Sequence, residues 1–224
     1  MGYLQFRAQF FNQIDIYKKR DMRTHSIIIA LSLLLSSLLC FGSSKKEYKL
    51  TSPNGNIQIM IKKNDDGLWS YSFSSDRKHL LDLSLLGFKN KSGQTLPKKN
   101  CVINSAIRKS YSGVWHPVWG KRKNVKDQYN ELALQFNKSM KIIFRAYNDG
   151  IAYRYVLPDN SNLNCDLKEE CSQFNFSGDF SAWYYNFEYH NLGPEKLSET
   201  DTIRHPVMTI KADDSHYMAV HEAD

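Results

Sequence analysis

Asn130-Glu-Leu-Ala-Leu-Gln-Phe136, Lys141-Ile-Ile-Phe-Arg-Ala-Tyr147, Asn148-Asp-Gly150 and Ile151-Ala-Tyr-Arg-Tyr-Val156 form the stretch that decides the fold class. Short apolar-rich runs separated by turn signals, with polar groups at alternate positions such as Arg145 and Arg154, read as strands. The Asn-Asp-Gly between the last two runs accepts the positive φ of a tight hairpin. Three antiparallel strands are therefore expected here.

The same pattern extends outward. Upstream, Tyr48–Thr51 meets the turn Ser52-Pro-Asn-Gly55, and Asn56-Ile-Gln-Ile-Met-Ile-Lys62 alternates as a half-buried strand. Asn64-Asp-Asp-Gly67 turns the chain into Leu68–Phe73. Ser84–Phe88 and Cys101–Ile103 read as further strands around a Gly/Pro/Lys-rich loop. Downstream, Pro158 ends a strand, 159–170 reads as a polar loop, and strands resume at Cys171–Phe176, Val207–Ala212 and Tyr217–Val220. No amphipathic helix of ten residues and no repeat is visible after position 45. The expected class is all-β, a sandwich or barrel. The final Tyr217–Asp224 reads as a buried strand without terminal punctuation, so truncation inside a larger protein is expected.

The 224 residues are 42% hydrophobic and 13% aromatic, which supports a real core. Of the formal charge of +7, residues 1–44 contribute +3 and leave +4 for the rest. That remainder is spread without a basic block, apart from Lys45-Lys46 and Lys121-Arg122-Lys123, so no nucleic-acid partner is expected. The segment before Lys45 holds an apolar run, Ile27–Phe41, preceded by Lys18, Lys19, Arg20 and Arg23 and followed by Gly42-Ser-Ser44. That is the three-part pattern of a secretory signal, short for a membrane span. Residues 1–44 are therefore expected to be a helical signal segment, 1–21 an over-extended start, and 45–224 the mature domain. Export to the periplasm or medium follows, with membrane contact only through the signal. A retained anchor and lipidation at Cys40 are the other readings. Cys165 and Cys171 are either a small disulfide loop or free thiols.

Few residues suggest chemistry. Trp115-His-Pro-Val-Trp-Gly-Lys121 offers aromatic faces for sugar stacking; the plainer reading is a loop pinned by aromatic packing against the fold or a second domain. Arg145 and Arg154 flank a hairpin and have Glu131 or Asp149 as structural partners. Glu188, within Trp183-Tyr-Tyr-Asn-Phe-Glu-Tyr-His190, is a carboxylate in an aromatic setting; the residues by themselves favour a solvent-facing Glu, with a metal ligand as the alternative. No metal cluster, nucleophile elbow or phosphate loop is visible, and no catalytic or substrate-binding residue is assigned.

Taken in order, Leu50-Thr-Ser-Pro-Asn-Gly-Asn56, Ser84-Leu-Leu-Gly87, His116–Lys121, Asp127-Gln-Tyr-Asn-Glu-Leu132, Phe144–Tyr155, Pro206-Val-Met208 and His221-Glu-Ala223 resemble the N-terminal domain of glycoside hydrolase family 97. The resemblance implies a β-supersandwich of the galactose mutarotase type, followed in the family by a (β/α)₈ barrel and a small C-terminal β domain. It also implies action on α-glucosidic or α-galactosidic bonds with a calcium ion at the active site. Inverting or retaining chemistry is decided by barrel carboxylates that would lie beyond Asp224. Phe187-Glu-Tyr189 matches the context of a family calcium ligand, which gives Glu188 that role and makes tight calcium binding by this chain alone unexpected. Oligosaccharide would be met through the barrel. A free-standing carbohydrate-binding module and a mutarotase-like epimerase are the competing functions.

Overall fold

The computed structural model describes residues 46–136, 140–157, 167–185, 190–200 and 204–222; the expected signal segment, Cys165 and Glu188 lie outside them. The described residues are all-β, as the alternation predicts, with a single 3₁₀ turn at Leu197–Glu199. In chain order the strands are β1 (Tyr48–Thr51), β2 (Ile57–Lys63), β3 (Trp69–Ser75), β4 (Lys78–Leu85), β5 (Phe88–Asn90), β6 (Thr95–Leu96), β7 (Ile103–Trp115), β8 (Val125–Phe136), β9 (Met140–Tyr147), β10 (Ile151–Val156), β11 (Leu167–Glu170), β12 (Ser181–Tyr184), β13 (Leu192–Lys196), β14 (Met208–Lys211) and β15 (Tyr217–Val220). They form four sheets, ordered β1-β2-β3-β4, β10-β9-β8-β7, β11-β5-β6 and β13-β12-β14-β15. Every strand pair is antiparallel.

The first two sheets bury their alternate residues in one core. Ile57, Ile59 and Ile61 of β2 join Leu132, Leu134 and Phe136 of β8 and Met140, Ile142, Phe144 and Ala146 of β9. Period-two alternation places each set on one face, filled by aliphatic side chains with Phe136 and Phe144. Trp69 closes one end, its ring edge-on to Phe136 at 5.5 Å and its indole N–H donating to the Cys101 carbonyl at 3.2 Å. At the other end two turns meet: the Asn54 N–H donates to Asn148 Oδ1 at 3.0 Å. The Ser52–Gly55 turn is self-braced, with the Ile57 N–H donating to Ser52 Oγ at 3.0 Å and Gly55 at φ +80°.

The third sheet and the chain after it tie the sandwich to a second, smaller core. From Cys171 to Ser177 the backbone runs beside β4, donating N–H bonds to Gly87, Leu85 and Leu80 carbonyls. Tyr71 donates its hydroxyl to the Gln173 carbonyl at 3.0 Å. The Gly87 N–H donates to Tyr155 Oη at 2.8 Å, and that hydroxyl meets Ser172 Oγ at 2.7 Å. Phe176 packs against both cores. The second core holds Ala182, Tyr184 and Ile210, with Phe180, Leu197, Met208, Met218 and Val220 around them. An ion pair between Lys78 and Asp213, with His216 Nδ1 2.9 Å from Asp213 Oδ1, links the β3–β4 turn to the β14–β15 turn.

Several expected boundaries differ. Residues 171–175 form no strand, only a backbone bonded to β4 with one bridge at Phe176; the polar stretch read as loop ends in β11. Lys78–Leu85 is a strand whose turn, Asp76-Arg77, takes φ +49° and +67° without glycine or asparagine. β15 ends at Val220 and leaves Tyr217 and Ala219 exposed, where a buried strand to Asp224 is expected. Cys101 and Cys171 are free thiols.

Candidate functional site

The segment 186–189 that carries Glu188 joins β12 to the stretch leading into β13, and its two flanks are described. Tyr184, the last residue of β12, points into the second core and is 2% exposed. Its hydroxyl donates to the Glu195 carboxylate of β13. The Arg204 guanidinium lies 4.6 Å from the centre of the Tyr184 ring, a cation–π arrangement. The bond to Glu195 holds the Tyr184 phenol above its ordinary pKa, with burial adding and Arg204 opposing. Tyr185, the next residue, donates its hydroxyl to the Pro206 carbonyl at 3.4 Å. The chain thus leaves β12 from an aromatic frame anchored in the small core. The Tyr184–Glu195–Arg204 set is not apparent in the sequence, because its members lie on three separate segments.

Calcium takes about six to eight oxygen ligands, several of them carboxylates. Among the described residues no group of three or more His, Cys, Asp or Glu could hold a metal ion. The Glu195 carboxylate is engaged by Tyr184. The described residues therefore supply no calcium cradle of their own, and the metal role of Glu188 rests on the resemblance.

A second feature is the β7–β8 ribbon. β8 pairs with β9 only from Tyr129 onward, whereas β7 and β8 stay paired four rungs further, to Trp115 and Val125. The ribbon therefore projects past β9. Tyr111, Tyr129 and Tyr147 stand at one register across β7, β8 and β9, with ring centres 5.3 and 5.2 Å apart. Arg145 lies 4.2 Å over the Tyr129 ring and donates from Nε to Glu131 at 2.9 Å. Burial pulls Arg145 down, but bonds to Tyr147 and Glu131 outweigh it and hold the guanidinium above its ordinary pKa. Glu131 is one of the two partners expected for Arg145, the other being Asp149; Arg154 is exposed.

At the ribbon tip, His116–Asn124 is not pinned against the domain. Val118 is 100% exposed, Trp119 88% and Trp115 60%. That corrects the expectation of a loop held by aromatic packing against the fold; its alternatives, a second domain or a sugar, remain. Beside the ribbon, Leu50, Thr51, Arg108, Lys109, Ser110, Asn130 and Glu131 line a shallow, open depression. His221 and Glu222 are exposed and show no assigned role.

Two face-packed antiparallel sheets, with a smaller sheet appended through a bonded connection, define a β-sandwich domain. Over residues 50–224 the chain matches the glycosyl-hydrolase 97 N-terminal family, and it belongs to that family. It is 30% identical over 154 residues to a retaining alpha-galactosidase of Bacteroides thetaiotaomicron, covering 68% of this chain and 22% of that one. A glycoside hydrolase family 97 enzyme from Pseudoalteromonas sp. strain K8, solved in complex with panose, superposes with a TM-score of 0.68 at 26% identity, covering 79% of this chain and 28% of that one. The same enzyme has been solved with acarbose. A beta-arabinopyranosidase shares the fold at a TM-score of 0.52 and 23% identity, over 61% of this chain and 22% of its own. The chain thus spans about a quarter of the length of these relatives.

Proposed function

We propose that this chain acts as the N-terminal, carbohydrate-associated domain of an exported, calcium-dependent α-glycosidase, and that hydrolysis belongs to a catalytic barrel outside it. The observation that carries this reading is the family match across 50–224, nearly all of the domain after Lys45. The galactosidase relative and the enzyme bound to panose and acarbose favour an α-galactosidic or α-glucosidic oligosaccharide as the substrate of the whole enzyme. Glu188 contributes one ligand to the calcium ion, whose charge would offset negative charge near the substrate. Residues 1–44 direct export, and the mature chain starts near Lys45.

Glycoside hydrolysis uses two carboxyl groups about 5–9.5 Å apart across the scissile bond. The test is turnover of nitrophenyl α-galactoside and α-glucoside by this chain alone. None is expected; turnover abolished by a point mutation within 46–224 would refute the assignment. N-terminal sequencing of the exported protein checks the start near Lys45. A free-standing carbohydrate-binding module is the second reading, and the exposed Trp115 and Trp119 favour it. Oligosaccharide binding by the isolated chain, lost in Trp119→Ala, would select it.

A further inference from the structure

We propose that the turn between β1 and β2 is a self-modifying site, at which attack by the Gly55 backbone nitrogen converts the Asn54 side-chain amide to a carboxylate. Asn-Gly occurs once in the chain, at Asn54-Gly55. Asn54, Gly55 and Asn56 are exposed. Glycine has no Cβ to shield its own nitrogen, and a Cβ built at Gly55 would meet nothing within 4 Å, so a five-membered succinimide ring has room to close. Two donors converge on the side-chain oxygen: the Ser52 hydroxyl lies 2.6 Å from Asn54 Oδ1 and the Asn56 N–H donates to it at 3.1 Å. The Ser52 hydroxyl is aimed, because the same Oγ accepts from the Ile57 N–H at 3.0 Å and the residue is buried. Both donors thus face the oxygen that gathers negative charge when Cγ becomes tetrahedral.

The nucleophile is held by one bond, from the Gly55 N–H to the Ser52 carbonyl at 3.0 Å. Opening that bond leaves the hairpin closed below it, since the Ser52 N–H still donates to the Ile57 carbonyl at 2.9 Å. In the first step the Gly55 nitrogen bonds to Asn54 Cγ, its proton passes through solvent to Nδ2, and the Cγ–Nδ2 bond breaks to release ammonia. In the second step water adds to either carbonyl of the ring. Opening at the side-chain carbonyl leaves an aspartate; opening at the backbone carbonyl leaves an isoaspartate, which routes the main chain through Cγ and lengthens it by one carbon. Nothing is oxidised or reduced, and water is the sole co-reactant. The change reaches a second turn, because the Asn54 N–H donates to Asn148 Oδ1 at 3.0 Å. A longer main chain at residue 54 pulls that contact apart and frees the β9–β10 turn.

The experiment ages the full chain in mildly alkaline buffer at body temperature, with the synthetic peptide Leu50–Lys62 ageing alongside as the unfolded reference. Trypsin then releases the same peptide from the protein, mass spectrometry places any amide-to-acid exchange, and an isoaspartyl methyltransferase counts isoaspartate. Conversion at Asn54 should run within about tenfold of the free peptide, because one exposed hydrogen bond is all that must open. Isoaspartate should exceed aspartate, and Asn56, followed by the branched Ile57, should stay an amide. Ser52→Ala should slow conversion in the folded chain by about tenfold, whereas Ser52→Thr, which keeps the hydroxyl, should not. In the aged protein, peptides covering 147–151 should exchange amide hydrogens faster by about tenfold, while β8 stays unchanged. A native chain whose Asn54 is intact when the free peptide is fully converted overturns the proposal, whether or not Ser52→Ala folds. A folded Ser52→Ala that converts as fast as the parent also overturns it, since the paired donors would then contribute nothing. Unchanged exchange at 147–151 after conversion overturns the coupling to the second turn.

Discussion

Replacing Tyr155 by Phe removes one oxygen and keeps the ring, whose edge packs on Phe88 with centres 4.4 Å apart. The oxygen accepts from the Gly87 N–H at 2.8 Å and meets Ser172 Oγ at 2.7 Å. Ser172 keeps a second partner, since its hydroxyl lies 2.6 Å from Glu170 Oε1. Gly87 is buried and has no such reserve: packed against the Leu96 carbonyl, its N–H loses its acceptor. A buried donor left unsatisfied costs about 1–3 kcal/mol. Taking about 2 kcal/mol, a domain of this size should lose roughly 4–8 °C in melting temperature. Thermal denaturation by circular dichroism at neutral pH measures it. Local hydrogen exchange should also accelerate at 171–176, the segment that Tyr155 clamps to β4. A variant melting within about 1 °C of the parent, with unchanged exchange there, would refute the idea that this hydroxyl fastens the second core to the sandwich.

Gly87→Ala should cost more, about 3 kcal/mol or above. Its φ is +132° and an added Cβ would stand 2.2 Å from the Leu96 carbonyl oxygen, a backbone atom with nowhere to go; soluble yield and thermal melts check this. Tyr71, Tyr153 and Tyr155 all have phenols pushed up, chiefly by burial. Their contribution to stability is complete below the unfolded tyrosine value of about pH 10 and declines as pH rises toward the folded values. Urea midpoints should therefore fall above about pH 10, and tyrosinate absorbance should show these three titrating only with unfolding. In an enzyme that joins this domain to a catalytic barrel of the family, Glu188→Gln should raise the calcium concentration needed for half-maximal activity while the sandwich melts as before; an equal midpoint and equal turnover would remove Glu188 from the calcium site.

The main sandwich is legible because its strands are half-buried and therefore alternate cleanly. Ile57, Ile59 and Ile61, or Ile142, Phe144 and Ala146, are buried on one face, with the half-buried Gln58, Met60, Ile143 and Arg145 between them. β4 escapes such reading because its hairpin turns on Asp76-Arg77, a pair with none of the usual glycine or asparagine. β7 escapes because both its faces meet solvent beyond Ile103, so no period is imposed on Asn104–Trp115. The frame of Tyr184, Glu195 and Arg204 could not be found by spacing, because tertiary contact alone unites three segments. What pointed to the site was Phe187-Glu-Tyr189, through its likeness to a family motif, which places a residue without describing its surroundings.

Phe176 is the side chain that packs against both cores among the described residues. That narrow join has an evolutionary consequence. Among the described residues, strain introduced into the small sheet has one apolar route into the large core, so substitutions around β12 and β13 are expected to be compensated among a few near neighbours. A lineage can thus vary the residues that flank Glu188 without re-solving the packing of the large sandwich. The two parts can diverge at different rates within one inherited domain.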